Sequence, residues 1–288
     1  MSRKLVYIST ILLAVTISVI ALRSYFKHRE QYQALRKPTQ NDSKKFLEAI
    51  ALFKQGKTNG IEAPELRLGP DELKELEKLD WVPYLNLCKT TIKNDDMKLI
   101  AGIPGLIALN LTETRISDDG LKYLEDHPTL RYMWLNRIPL TDQGLKSIAT
   151  IPQLVELHLY MTATTDAGCE TLAKIKSLEV LSLDVVMVTD RGVKALAPLT
   201  NLRELKLWKA RVGDEGCRAI GTMKNMQFLS LDNTLVSDAG IKYLLAIDDL
   251  RELRTNGTAV TKAGRDEARK RWQGIRMNPE FDDEVGSQ

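Results

Sequence analysis

The chain is poor in the residues that most chemistry requires. Its 288 residues include only three cysteines, Cys88, Cys169 and Cys217, with no C-x-x-C pair. That spacing excludes a disulfide framework and offers no zinc-ligand pattern. Three histidines, His28, His127 and His158, are too scattered to form a sequence-level metal motif. No G-x-x-x-x-G-K phosphate loop is present. The net charge of +3 is small and the Lys and Arg residues are spread along the chain, so no nucleic-acid partner is expected. Long hydrophobic runs are missing with one exception. No cofactor, no metal and no enzymatic activity are expected from this inventory. Cys169 and Cys217 fall where neighbouring repeats carry Leu, Val or Ile, which makes them small buried hydrophobes.

The exception is residues 5–22, LVYISTILLAVTISVIAL, 18 residues without a charge. This length is near the lower limit for a membrane-spanning helix. Ser2, Arg3 and Lys4 precede it, and Arg23, Lys27 and Arg29 follow. An uncleaved N-terminal anchor over residues 1–22 is favoured, because the run is longer than most signal-peptide cores and basic residues follow at once. A cleaved signal peptide stays open, since Val19 and Ala21 suit the cleavage site. Positive charge on both flanks leaves orientation undecided by the positive-inside rule. Export of the remainder, as a single-pass membrane protein, is the chosen expectation.

Residues 23–42 read as a charged linker. Residues 43–60 read as an N-terminal capping helix, with Asp42 or Ser43 as N-cap and Phe46, Leu47, Ile50 and Phe53 as its inward face. From residue 61 to 264 the chain repeats every 24 residues. One column is Gly120, Gly144, Gly168, Gly192, Gly216, Gly240 and Gly264, each preceded two positions earlier by Asp except the last, where Lys262 stands. Another is Leu106, Leu130, Leu154, Leu178, Leu202, Met226 and Leu250. Paired positions such as Leu157/Leu159 and Leu181/Leu183 alternate with a period of two and predict short strands. The G-[LVIC]-x-x-[LI] part has helical spacing, with Thr141, Thr165 and Thr189 placed to cap and the Asp placed to complement the helix dipole. The Gly is expected to let a crowded turn close. A calcium ladder on the Asp column is disfavoured, because calcium-binding glycine-rich repeats are much shorter.

A 24-residue strand–turn–helix unit cannot bury a core alone, and stacked copies can. The pattern L-x-L-x-x-T-x-[IV]-[ST]-D-x-G-[LVI]-x-x-[LI] resembles leucine-rich-repeat proteins, and is similar to the F-box-adaptor subclass and to bacterial repeats with Thr in place of Asn or Cys. It departs at Ile138, Val186 and Ala210, where the Thr column loses its hydroxyl. The resemblance implies an α/β solenoid with a parallel concave sheet and convex helices. Residues 265–277 read as a C-terminal cap with Ala268 and Trp272 inward, and residues 278–288 as an acidic tail.

In such a solenoid the side chains beside the inward leucines form three solvent-facing columns. Tyr132, Trp134, His158 and Tyr160 are expected to touch across two neighbouring strands. Trp208 lies two strands beyond Tyr160, about 10 Å away. Arg137, Asp184, Lys206 and Lys209 surround them. Aromatics mixed with cations make a typical binding hot spot, and a protein or peptide is the expected partner. Cross-strand stabilisation of the sheet is the plainer alternative for the same rings. A carbohydrate or small-ligand receptor using the aromatic row, and an assembly or scaffold factor of a membrane complex, are the alternative functions. A Ser182–His158–Asp184 triad can be drawn, but an open sheet excludes no water and supplies no oxyanion hole. Sequons stand at Asn41, Asn110 and Asn256. The sequence leaves the oligomeric state undecided.

Overall fold

Period-two leucine pairs can bury both members only if their strands lie side by side with the same register. The computed structural model, which describes residues 38–277, builds that arrangement as one ten-stranded parallel sheet in sequential order. Its strands are β1 (Ile61–Glu62), β2 (Tyr84–Asn86), β3 (Ala108–Asn110), β4 (Tyr132–Trp134) and β5 (Glu156–His158). They continue as β6 (Val180–Ser182), β7 (Glu204–Lys206), β8 (Phe228–Ser230), β9 (Glu252–Arg254) and β10 (Arg276–Met277). Register advances by one repeat per strand, so Leu157 faces Leu181 and Leu181 faces Leu205. Leu157 and Leu159 are fully buried. Each buried leucine contributes roughly 1.5–3 kcal/mol relative to exposure, so the stacked core is the main stabilising term.

The return segments begin at capping hydroxyls. Thr141, Thr165, Thr189, Ser237 and Thr261 stand at N-caps, each accepting from the backbone N–H two residues on. The Asp column works between coils, beyond any effect on its own helix. Asp118 Oδ1 accepts from Thr141 N–H and its Oδ2 from the Thr141 hydroxyl, at 2.9 and 2.6 Å. The same pair of bonds links Asp142 to Thr165, Asp166 to Thr189, Asp214 to Ser237 and Asp238 to Thr261. Where the next coil has Gly213 in place of the hydroxyl, Asp190 Oδ1 accepts from Gly213 and Gly216 N–H. The glycine column is thereby explained by close approach. A Cβ at Gly240 would lie 2.6 Å from Asp214 Oδ1 of the preceding coil. The crowding expected of this turn is therefore steric, since these glycines are not among the residues with positive φ.

A second ladder runs below the sheet edge. Thr90, Thr114, Thr162 and Thr234 donate their hydroxyls to the carbonyl three residues back, at 2.6–2.9 Å. At the position just before this column, whether Thr or Ile138, Val186 or Ala210 fills it, Lys89, Glu113, Arg137, Met161, Val185, Lys209 and Asn233 all adopt left-handed backbone, φ 54–59°. This recurring left-handed residue turns the chain out of each strand. It also sets Arg137 and Lys209 on the margin of the concave face.

Helix Gln40–Lys54 lies against the first coil with Phe46 and Ile50 buried. Its N-cap is Thr39, upstream of the expected Asp42 or Ser43, because Thr39 and Asp42 form a reciprocal capping box. Leu47, expected inward, is 49% exposed. It is one residue from Phe46, about 100° around the helix, which turns it out of the contact. At the other end, helix Lys262–Arg271 buries Ala268, and the following Trp272 is buried with its indole N–H donating to Ile247 O at 3.0 Å. Strand β10 then pairs with β9, so coil-like pairing continues past residue 264. Among the described residues no helix is long and apolar enough to cross a membrane. The expected anchor (1–22), most of the linker (23–37) and the acidic tail (278–288) lie outside the described residues.

Candidate binding surface on the concave sheet

Each three-residue strand buries its centre, and its flanking side chains are half-exposed or exposed, as period two requires, except Ser182 on β6 and Ser230 on β8, which are buried. Trp134 on β4 and His158 on β5 are register partners and their rings stack, with centroids 5.8 Å apart and planes 14° from parallel. Tyr84 meets the other side of Trp134 edge-on at 6.4 Å. It reaches from β2 across β3, where the small Ala108 and the short Asn110 leave room. Tyr132 joins no ring pair among the described residues. It lies in register with Ala108 and Glu156, and the expected four-ring contact reduces to the Trp134–His158 stack.

Tyr160 and Trp208 were expected to stand about 10 Å apart. Their rings instead stack at 6.2 Å and 14°. The reason is Asp184, which occupies the strand between them. Its carboxylate turns down to accept from the Ser182 hydroxyl at 2.8 Å and from Trp208 N–H at 2.7 Å, so the two rings close over it. Burial pushes the Asp184 carboxyl above the ordinary range, opposed by these hydrogen bonds and by the nearby Lys206 and His158. Arg137 places its guanidinium 5.1 Å from the Tyr160 ring centroid and donates to the Tyr160 hydroxyl at 3.2 Å. Lys209 Nζ sits 4.7 Å from the Trp208 ring centroid. Lys206 pairs with Glu204 at 2.6 Å and approaches the Phe228 ring, and Arg254 approaches the same ring while pairing with Glu252 at 2.7 Å.

Of the nine sequence-selected residues, four form two ring pairs, Arg137 and Lys209 attend the Tyr160–Trp208 pair with Asp184 beside it, Lys206 approaches Phe228 instead, and Tyr132 stands apart. Sequence reasoning missed Tyr84, Phe228, Arg254 and the carboxylates Glu156, Glu204 and Glu252. All six lie in the solvent-facing columns. The usable signal was the E-x-[HKR] spacing, which puts a carboxylate and a cation on one face of one strand. The drawn triad does not assemble: the Ser182 hydroxyl donates to Asp184, whereas His158 Nε2 engages Glu156 at 2.6 Å. Among the described residues no group of His, Cys, Asp and Glu is arranged to hold a metal ion.

Comparison with known proteins identifies the fold. A leucine-rich-repeat family model matches residues 106–124 and 199–221. No curated protein matches the sequence. Among solved structures, an internalin (inlF) of Listeria monocytogenes superposes with a TM-score of 0.61 at 18% identity, over 75% of this chain and 65% of that one. This chain therefore spans slightly less than two thirds of that internalin. Internalin C2 (inlC2) of the same organism gives a TM-score of 0.54 at 23% identity, over 68% of this chain and 77% of that one. The described residues have the fold of a leucine-rich-repeat solenoid.

Proposed function

We propose that this leucine-rich-repeat solenoid is a non-enzymatic interaction module, tethered to a membrane through residues 5–22 with its repeats exported, and that it docks a protein or peptide on the concave face. The observation that carries this reading is the succession of three ring groups with their cations between β2 and β9, the middle one formed by Tyr160 and Trp208 beside Asp184. Aromatic and Arg side chains supply most of the energy at protein interfaces. The competing sugar-platform reading needs open ring faces. Here Tyr160 is flanked by Trp208 and Arg137, and Phe228 by Lys206 and Arg254, which favours a partner that brings its own side chains. A scaffold role in a membrane complex would use the same surface with a permanent partner.

The test replaces Trp134, Tyr160 and Trp208 by Ala in the full chain. Loss of a partner that is cross-linked to the unmodified protein, with the thermal melt of the solenoid retained, supports the reading. Retained capture overturns it. Membrane tethering is tested separately, by alkaline extraction of the intact chain and of a variant with Leu12 and Leu13 replaced by Arg. Release of both into the soluble fraction would contradict the anchor.

A further inference from the structure

The buried leucines repeat every 24 residues, but from β5 to β9 the concave surface repeats every 48. Strands β5, β7 and β9 each carry a Glu followed two residues later by a cation or His: Glu156 and His158, Glu204 and Lys206, Glu252 and Arg254. The pairs close at 2.6, 2.6 and 2.7 Å. The strands between them, β6 and β8, carry an apolar residue and a buried serine in those two places, Val180 with Ser182 and Phe228 with Ser230. The position after the strand alternates as well. Asn136, Asp184 and Asp232 each accept from the N–H of the corresponding residue one coil on, Tyr160, Trp208 and Asn256, at 2.9, 2.7 and 2.6 Å. A Glu therefore recurs on every second strand, a spacing of about 9.6 Å for strands about 4.8 Å apart.

This spacing matches one polymer conformation open to any peptide. A polyproline II helix has three residues per turn and a rise of about 3.1 Å, so every third side chain returns to the same edge after about 9.3 Å. The charge of the face is complementary to a basic ligand. Between β4 and β9 its three outward columns hold five carboxylates, Glu156, Asp184, Glu204, Asp232 and Glu252, against two fixed cations, Lys206 and Arg254; Arg137 and Lys209 on the margin bring the balance to five against four, on a chain that is net positive by +3. A carboxylate offers about four lone-pair sites, so each Glu can accept from a ligand cation while keeping its own partner.

We infer that the concave face takes a proline-rich segment with Lys or Arg at every third position, lying across the strands along the solenoid axis. The ligand's cationic edge runs along Glu156, Glu204 and Glu252, and its apolar edges rest on the Trp134–His158 and Tyr160–Trp208 stacks. Aromatic-lined surfaces suit such ligands because the polyproline helix is already ordered before binding. The inference rests on the concave-face reading and names the chemistry of its partner.

The probe is a fluorescein-labelled (Lys-Pro-Pro)4 peptide titrated against the full chain in detergent, with anisotropy as readout. Expected is saturable binding at least tenfold tighter than that of Lys4Pro8, which has the same composition and lacks the period. Trp208→Ala is expected to weaken binding at least tenfold, and Glu204→Gln about fivefold. Equal affinity for the two peptides, or no saturation by about 1 mM, overturns the inference without relying on any variant's folding. Binding of a β-linked glucan oligosaccharide in place of the peptide overturns it too. A natural partner that cross-links through position 208 and is not displaced by (Lys-Pro-Pro)4 keeps the concave-face reading and overturns this one. Failure of every ligand to cross-link there removes both.

Discussion

The return side of each coil and the concave side of the same coil obey different periods. At the return turn, the Asp of one coil holds the Thr or Ser of the next, and glycine clears the path, with little change from Asp118 to Thr261. On the concave side no residue type recurs in adjacent coils between β4 and β9, and neighbours instead complement one another. Uniform positions solve a problem every coil shares, which is to stack without leaving backbone donors unpaired. Varied positions are freer of that problem and can be set by what they touch, although Asn136, Asp184 and Asp232 still accept a backbone N–H of the next coil.

That contrast can be broken at its stacking side first. Gly240→Val places a branched side chain where the Asp214 carboxylate lies and is expected to destabilise the fold by about 3 kcal/mol or more, read by urea denaturation. An unchanged midpoint would detach the glycine column from the ladder. Trp208→Ala should show the reverse profile. It is expected to cost about 2 kcal/mol of partner affinity in a titration while lowering stability by about 1 kcal/mol. Asp142→Ala removes both bonds to Thr165 and is expected to cost about 1–2 kcal/mol of stability with partner affinity unchanged.

Acid titration sharpens the comparison because the two sides respond with opposite sign. Hydrogen bonds from the Thr261 hydroxyl and backbone hold the Asp238 carboxyl below its ordinary value. Its contribution is present above the unfolded-state pKa and is lost as pH falls through the folded one. Burial raises Asp184 instead, so its contribution is largest below the unfolded-state pKa, near about 4, and is lost as pH rises through the folded value. Denaturation midpoints followed downward from about pH 6 should therefore fall less in Asp238→Asn than in the parent, and gain less in Asp184→Asn. The smallest effect is expected at the boundary of the two regions. Val185 is β-branched in left-handed backbone, and Val185→Asn should raise stability by about 0.5–1 kcal/mol.

The solenoid was readable because its determinants are periodic. Leu157 and Leu159 had to point one way if the strand was real, and the 24-residue return told which strand came next. The Asp-x-Gly column was visible, but its partner was not, since nothing in a single coil says that a carboxylate bonds to the coil after it. The site was half legible. Period two placed Trp134 beside His158, but sheet spacing alone kept Tyr160 and Trp208 apart. The missing information was the downward turn of Asp184, a hydrogen-bonding choice that neighbouring Ser182 decides. Lys206 was legible from its column, whereas Phe228 and Arg254 beside it were not, because no tryptophan marks that part of the sheet. Leu47 failed for a simpler reason: a helix face one residue too wide was assigned to the core.

The most direct measurement is site-specific photo-cross-linking in the intact chain, with a photoreactive residue placed at Trp208 on the concave face or at Arg191 on an exposed helix. Docking at the concave face predicts that position 208 forms a saturable adduct with one partner and that position 191 forms none. An adduct at 191 with none at 208 would contradict it.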